Sequence, residues 1–302
     1  MTKESTFKIA FLLTLYSNPE QANMFMNQLL KYEGSYIFIH VDKKAMQIKD
    51  KLLKHERIDI MPKSYLVEWG DFSQTESVWE LIKYAHNKGD FEYYSVHSGS
   101  DLAIKPVETF AEFLKSDNKY AYTICNKLPA KDWQYGGGLG RLALKWPKCF
   151  RKKYSAHSPM RYFRSLYGKA YGAGIIKGRK LPDDIEFYGK SDWYTLRKDC
   201  VSNMLHYVEK HPEYIDLYRD SLIGSEIFFT TLVHIDKKED IVSDNDLRYI
   251  DFHNPDKETP GSPKLLKTED YNKIINSGMF FARKFDIRVD PDIVSRIIKE
   301  VY

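Results

Sequence analysis

The feature that most constrains the fold of this chain is an alternation of strand-like and helix-like segments over its first 125 residues. The strand-like segments are short apolar runs, as expected of strands that are covered by helices on both faces. They lie at 7–15, 35–41, 58–61, 93–96 and 120–124. Amphipathic segments at about 19–32, 73–86 and 106–114 separate them. This order predicts an α/β fold with a Rossmann-like, mostly parallel sheet flanked by helices.

Capping residues predict where several helices begin. Asn18 precedes Pro19, the pattern of an N-cap followed by proline at the first helical position. Ser73 and Glu76 have the spacing of a capping box. Ser225 is expected to cap a helix that continues to about residue 233. Further strands are predicted at 191–196 and 247–252, and a last helix at 293–301.

Two acidic residues lie just after the ends of predicted strands. Asp42 comes after the second strand, and Asp101 comes shortly after the fourth. In open α/β sheets, ligands bind at the carboxyl ends of the strands. An acid in this position is also an ordinary turn or cap residue, so both interpretations stay open.

Residues 126–190 interrupt the alternation. The run 136–140 is rich in glycine, but it lacks the Lys-Ser/Thr ending of a phosphate loop and follows no strand, which favours a plain loop. Between residues 141 and 180 there are twelve Lys or Arg, interleaved with aromatic residues, and no Asp or Glu. This composition is typical of a solvated basic face, and equally of a surface for an anionic membrane or a phosphorylated acceptor. Single-stranded nucleic acid would also fit such a segment.

Composition narrows the class of protein. The formal net charge of +4 is too small for a dedicated nucleic-acid binder, so no nucleic-acid partner is expected. No apolar stretch has the length of a membrane span. The three cysteines are widely separated and odd in number, which indicates neither a zinc site nor a disulfide framework. A reducing, cytosolic location is the expectation.

Seven short segments, taken in order, resemble one known family. They lie at 37–44, 68–73, 98–105, 189–196, 224–229, 247–252 and 280–286. This pattern is similar to the branching-enzyme family of inverting glycosyltransferases, which includes core-2 and I-branching β-1,6-N-acetylglucosaminyltransferases and peptide O-xylosyltransferases. The resemblance implies a GT-A-type fold in a single domain, residues 1–302. Within it we expect a nucleotide-sugar-binding half (1–125), a basic aromatic insertion (126–190) and an acceptor and catalytic half (191–302).

The resemblance also implies a reaction. A sugar, N-acetylglucosamine or xylose, would move from a UDP-sugar co-substrate to a glycan hydroxyl with β linkage. Glu226 matches the catalytic base that takes the hydroxyl proton. Arg283 and Lys284 match the basic residues that hold the departing diphosphate, so neither a metal nor another cofactor is expected. Asp42 would contact uracil or ribose, and Asp101 would lie near the donor sugar.

Three further residues are expected to line the substrate pocket. Trp193 matches a lining aromatic that could stack on a sugar face, and a buried core position is the ordinary alternative. Asp192 precedes it, and Trp69 would shape the pocket wall. His40 and His97 lie near strand ends, where a hydrogen-bonded structural histidine is the better interpretation.

Two other interpretations remain open at this point. The Asp-x-Asp pairs at 244–246 and 290–292 could hold a metal in a metal-dependent transferase, although neither follows a strand. A non-catalytic module that binds anionic glycan or nucleic acid is the second. The main hypothesis is a bacterial-type, cytoplasmic enzyme of capsule, exopolysaccharide or lipopolysaccharide synthesis. It would contact the inner face of the plasma membrane, or a lipid-linked acceptor, through residues 141–180.

Overall fold

The structure is a computed structural model and describes residues 6–253 and 262–302. The strands are β1 (Ile9–Leu15), β2 (Ser35–Val41), β3 (Ile58–Ile60), β4 (Tyr93–Ser98), β5 (Asp101–Ala103), β6 (Ala121–Lys127), β7 (Tyr188–Arg197), β8 (Ile241–Val242), β9 (Arg248–Ile250) and β10 (Phe281–Arg283). The helices are α1 (Pro19–Leu30), α2 (Phe72–His86), α3 (Val107–Asp117), α4 (Gln134–Gly137), α5 (Gly140–Ala143), α6 (Pro159–Gly172), α7 (Lys198–Lys210), α8 (Glu213–Asp216), α9 (Ser225–His234), α10 (Tyr271–Ile275) and α11 (Pro291–Val301). Turns of 3₁₀ helix lie at Lys43–Lys51, Lys148–Phe150 and Thr268–Asp270.

Within the described residues, seven strands form a central sheet in the order β3-β2-β1-β4-β7-β6-β8. The first four of these are mutually parallel. β7 runs antiparallel to both of its neighbours, β4 and β6, while β8 is again parallel to β6. The predicted α/β fold with a mostly parallel sheet is therefore confirmed, with a reversal at β7.

Two apolar cores cover the two faces of the sheet. Successive residues of β1 point to opposite faces, so Phe11 belongs to one core and Leu12 to the other, and both are fully buried. Helices α1, α3 and α11 pack on the Phe11 side. Helices α2, α7 and α9 pack on the Leu12 side. This two-sided cover explains why the strands read as continuous apolar runs.

A second, smaller sheet continues from the carboxyl end of β4. Its described strands have the order β5-β10-β9. β10 runs antiparallel to β5, and this pairing places Arg283 opposite Asp101. Two residues separated by most of the chain are thereby fixed side by side.

The caps agree with the sequence prediction only in part. Asn18 caps α1 by accepting a hydrogen bond from the Gln21 N–H, as predicted. The prediction for α2 was wrong, because Asp71 is the cap and accepts from the Ser73 N–H. Ser225 is the first residue of α9 rather than its cap.

The segment 126–190 joins β6 to β7, and part of it packs on the main core while the rest forms a further cluster. Leu144 and Trp146 pack on Leu222 in a third apolar cluster. The glycine-rich run, expected to be a plain loop, instead joins the end of α4 to the start of α5, with φ of +66°, +68° and +93° at residues 136, 137 and 138. Those values lie in the left-handed region that glycine adopts without strain. Among the described helices, none combines the length and the apolar composition that crossing a bilayer requires.

Candidate active site

Most of the predicted site residues come together beside the small sheet. Arg283 ends β10, Asp101 begins β5, and both Asp192 and Trp193 lie in β7. The positive charge of Arg283 acts on the carboxyl group of Asp192, which in turn feels the negative charge of Glu226. Cations and carboxylates therefore share one site.

Arg283 is the centre of this arrangement. Its guanidinium carbon lies 3.5 Å from the centroid of the Trp193 ring, a close cation–π contact. Nη1 is 3.6 Å from Oδ1 of Asp101, which is longer than a hydrogen bond. The side chain is buried, yet its Nε and Nη1 atoms have no hydrogen-bond partner among the described residues. Unmet N–H donors on a buried charged group are costly, and they favour an incoming anionic acceptor.

Asp101 anchors Arg283 from a fully buried position. Its Oδ1 accepts a hydrogen bond from the Ser98 hydroxyl (2.9 Å), and its Oδ2 accepts one from His97 Nδ1–H (3.1 Å). Burial would raise the pKa of Asp101, but Arg283, His97 and Arg248 together lower it to about 2. The carboxylate stays charged, and its oxygens face protein groups. Direct contact of Asp101 with a donor sugar stays a prediction.

Lys284 adds a second cation next to Arg283. It is half-buried, and burial lowers its pKa to about 8. The positive charges of Arg283 and Lys153 contribute to this lowering, and the negative charge of Asp101 opposes it. Lys153 belongs to the basic stretch of the insertion, so that segment contributes charge to the site. Sequence reasoning did not single out Lys153, because one lysine among many carries no distinguishing signal.

Glu226 lies in the first turn of α9 and is paired with a cation. Nη1 of Arg141 donates a hydrogen bond to its Oε2, and 27% of the Glu226 side chain is exposed. The Arg141 guanidinium in turn lies 4.2 Å from the centroid of the Trp133 ring. Arg141 and Trp133 both belong to the insertion. Arg141 was missed as a site residue because the insertion has no counterpart among the matching segments.

Asp192 forms a carboxylate pair with Glu226. Burial and, after it, the negative charge of Glu226 raise the pKa of Asp192 to about 7. Its Oδ2 accepts a hydrogen bond from Gln74 Nε2 (3.1 Å). Its buried Oδ1 makes no hydrogen bond within the described part of the chain. The pair therefore offers one partly exposed carboxylate, that of Glu226, and one buried acceptor, Oδ1 of Asp192.

Asp42 and Trp69 contact other residues of the chain. Asp42 caps the 3₁₀ turn after β2 by accepting from the Lys44 N–H (2.8 Å), which is the ordinary role of an acid after a strand. Its contact with a nucleotide stays a prediction. Trp69 is partly exposed, and the guanidinium of Arg164 lies 5.3 Å from its ring centroid.

The two histidines near strand ends are buried and hydrogen-bonded. Burial lowers the pKa of His97 to about 4, and its Nε2 lies 3.0 Å from the Ser95 hydroxyl. Burial likewise lowers the pKa of His40 to about 4, and its Nε2 accepts from the Tyr65 N–H (3.0 Å). Both imidazoles are neutral near pH 7, which fits a structural role.

Neither Asp-x-Asp pair forms a cluster of carboxylates. Asp246 is buried, where it accepts from the Ser191 hydroxyl (3.3 Å) and the Arg248 N–H (3.2 Å). Asp290 caps α11. Over residues 6–253 and 262–302 there is no group of three or more His, Cys, Asp or Glu side chains placed to hold a metal ion.

Comparison with known proteins defines the class, which is that of the glycosyltransferases. The chain belongs to the Core-2/I-Branching enzyme family, whose model matches residues 9–275.

Curated relatives extend this similarity at low identity. Xylosyltransferase oxt of Drosophila melanogaster is 23% identical over 321 residues, which cover 98% of this chain and 33% of that protein. Human xylosyltransferase 1 is 21% identical over 318 residues, covering 98% of this chain and 30% of that protein. The β-glucuronosyltransferase GlcAT14A of Arabidopsis thaliana is 27% identical over 119 residues, covering 39% of this chain and 26% of that protein. The chain thus spans about a third of the length of these xylosyltransferases.

Proposed function

We propose that this glycosyltransferase moves a sugar from a UDP-sugar to a hydroxyl of a glycan acceptor, with inversion to a β linkage and without a metal ion. The observation that carries the proposal is the buried Arg283 guanidinium, which has unpaired N–H donors and stands in one site with the carboxylates of Asp192 and Glu226. A site with a cation at one end and a base at the other suits displacement of a diphosphate by an alcohol.

The donor side is built from cations. As the bond from the anomeric carbon to the diphosphate breaks, negative charge builds up on UDP, and fixed positive charge stabilises it. A cation about 4 Å from one unit of that charge contributes about 4 kcal/mol at an effective dielectric near 20, before desolvation is subtracted. Arg283 can hold two oxygens at once. Lys284 adds a second charge, and Lys153 extends the positive field.

The acceptor side is built from the carboxylate pair. Glu226 takes the proton of the acceptor hydroxyl while that oxygen attacks the anomeric carbon, and UDP leaves with the bonding electrons. Asp192 Oδ1 is the unfilled acceptor that would orient the hydroxyl. Arg141 holds Glu226 in place through their ion pair. The donor sugar in this proposal is xylose or N-acetylglucosamine; the names of the relatives support the first.

The first test removes the base. Glu226→Gln keeps the shape of the side chain but cannot accept a proton, so transfer should fall by about 10²- to 10⁴-fold. Affinity for UDP should stay within about twofold, because Glu226 does not touch the diphosphate cations in this proposal. UDP release and UDP binding by calorimetry measure the two effects. The matched control is Glu209→Gln on the exposed face of α7. Undiminished transfer by Glu226→Gln would reject Glu226 as the base.

The second test addresses the metal. Transfer assayed by UDP release across a panel of UDP-sugars should be the same with and without EDTA, because protein cations hold the diphosphate. Activity that is lost in EDTA and restored by Mn²⁺ would instead favour a metal-dependent transferase that uses an Asp-x-Asp pair. A chain that neither releases UDP from any donor nor gains thermal stability with UDP would be a non-catalytic binding module.

The setting proposed for this activity is the cytoplasmic side of a bacterial plasma membrane. The acceptor would be a growing capsule, exopolysaccharide or lipopolysaccharide unit carried on a lipid. Two observations support this setting. All three cysteines are free thiols, as is usual in a reducing compartment. The insertion that contributes Arg141 and Lys153 to the site also carries the basic aromatic stretch, which suits a phosphorylated or membrane-borne acceptor.

A further inference from the structure

Helix α6 of the insertion has an unusual distribution of side chains. It buries Arg164 and Gly168, while Tyr162, Phe163 and Leu166 point to solvent with exposed fractions of 67%, 53% and 52%. Ile175, just beyond the helix, is 78% exposed. Single exposed apolar residues are common on soluble proteins, but a cluster of them usually marks a contact surface.

An apolar groove adjoins these side chains. It has a volume of about 500 Å³ and is lined by Cys149, Phe150, Met160, Phe163, Tyr167 and Ile176, among others. Phe163 thus belongs both to the groove and to the exposed cluster. Apolar material from outside the chain could enter this groove without displacing any polar side chain.

The cations of the same stretch divide into two groups. Two of the arginines serve the fold: Arg164 donates to the carbonyls of Phe150 and Lys152, and Arg151 pairs with Asp71 at 2.7 Å. The lysines face solvent. Lys148, Lys169 and Lys177 are exposed, make no ion pair among the described residues, and each adjoins a groove-lining residue in sequence.

We propose that this surface docks on an anionic lipid bilayer. The basic–apolar surface consists of Tyr162, Phe163, Leu166 and Ile175 with Lys148, Lys169 and Lys177. Its apolar side chains would enter the interfacial layer while its lysines meet lipid phosphates, the arrangement of proteins that lie on membranes. The positive charge of this surface favours an anionic bilayer as its partner, because the stretch from 141 to 180 carries Lys and Arg but no Asp or Glu. A protein partner with a neutral apolar face would gain nothing from these lysines.

Docking would bring the site to the membrane. Arg164 stacks over Trp69, and Lys153 adds its charge at Lys284, so the same segment connects the basic–apolar surface with the proposed diphosphate site. An acceptor carried on a lipid headgroup would then be presented beside the carboxylate pair. This consequence rests on the proposed function, whereas membrane docking itself does not.

The test is vesicle sedimentation with the full chain. Vesicles of phosphatidylcholine are compared with vesicles that also contain about 40 mol % phosphatidylglycerol, at about 0.1 M and about 0.5 M salt. Each lysine near an anionic surface contributes about fivefold to binding. We expect at least tenfold stronger binding to the anionic vesicles in low salt, and most of it lost in high salt. Equal binding to both compositions, or none to either, would overturn the proposal.

Two variants separate the apolar and the basic contributions. Phe163→Ser/Leu166→Ser and Lys148→Glu/Lys169→Glu should each lower vesicle binding by at least about tenfold. The altered side chains are exposed, so thermal melts should be nearly unchanged. The control is Val289→Ser/Lys299→Glu, which changes one exposed valine and one exposed lysine elsewhere on the protein. Wild-type binding by either surface variant would overturn the proposal.

A measurement without vesicles keeps the two proposals distinct. UDP release from a soluble UDP-sugar should be unaffected by Phe163→Ser/Leu166→Ser, since neither residue lies in the proposed catalytic site. Absent UDP release in the wild-type chain would reject the transferase mechanism and leave vesicle binding standing. Vesicle binding that fails while UDP release persists would reject the docking surface alone.

Discussion

At the scale of single residues, Arg283 and Lys284 show how the surroundings of two neighbouring cations decide whether their charge depends on pH. Arg283 is clamped between Trp193 and Asp101, and a guanidinium stays charged at any ordinary pH. Lys284 is half-buried among other positive charges, and its pKa is lowered to about 8. Arg283 therefore supplies constant charge, and Lys284 supplies charge that depends on pH.

This difference predicts a pH dependence of UDP binding. Below pH 8 Lys284 is protonated and attracts the diphosphate, and above pH 8 the free enzyme loses that charge. If only the protonated form binds UDP tightly, affinity should fall by about tenfold between about pH 7 and pH 9. Calorimetric titration with UDP across this range measures the change.

The control for this prediction is Lys284→Arg, which keeps the charge at every pH in the range. Its affinity for UDP should be nearly flat from pH 7 to pH 9. A flat profile in the wild type, or the same decline in Lys284→Arg, would mean that another group governs the binding.

At the scale of elements, α6 shows why a helix can escape prediction from sequence. A usual surface helix buries an apolar stripe and exposes charge. α6 buries Arg164, whose guanidinium bonds the carbonyls of Phe150 and Lys152, and exposes Tyr162 and Phe163 instead. α6 departs from this pattern at Tyr162 and Phe163, and the sequence analysis interpreted the stretch only as a basic aromatic segment.

The packing of α6 depends on a glycine. A Cβ atom built on Gly168 would lie 2.1 Å from the ring of Tyr135, so the helix approaches that residue too closely for any side chain. Gly168→Ala should therefore destabilise the protein by about 1–3 kcal/mol through overpacking. Urea denaturation followed by circular dichroism measures the loss.

Gly172→Ala on the same helix is the matched control. Its Cβ would meet only the Gly136 nitrogen, at an ordinary 3.5 Å. The change should be neutral or stabilising by up to about 1 kcal/mol, because alanine favours helix more than glycine does. Equal stability of the two variants would show that Tyr135 can move aside at no cost.

At the scale of the whole molecule, the sequence predicted the parts better than their assembly. Local apolar patterns predicted β1, β2 and α1 within about two residues, because each pattern needs only neighbouring side chains. The site residues came from family resemblance, and the structure brings most of them together. Their contacts depend on long-range pairing, such as β5 with β10, which sets Asp101 beside Arg283. No local pattern carries that information.

Two site residues were missed for the same reason, because long-range contacts place them in the site. Arg141 and Lys153 reach the site from the insertion, where no matching segment marked them. Their recognition required knowing that the insertion folds against α9 and that the charge of Lys153 acts on Lys284. Asp246 was weighed as part of a metal motif, yet it serves as a buried partner of Ser191 and Arg248.

The position of β7 has consequences for truncated forms of the chain and for its folding during synthesis. The strand lies inside the sheet, between β4 and β6, although residues 128–187 separate it from β6 in the sequence. A polypeptide that stops before residue 188 would lack both β7 and β8, so β4 would have an open edge and β6 would have no partner. Such open edges pair with other chains. Fragments covering only the first half should thus aggregate rather than fold. During synthesis, the sheet can close only after the ribosome has released the strand that lies between β4 and β6.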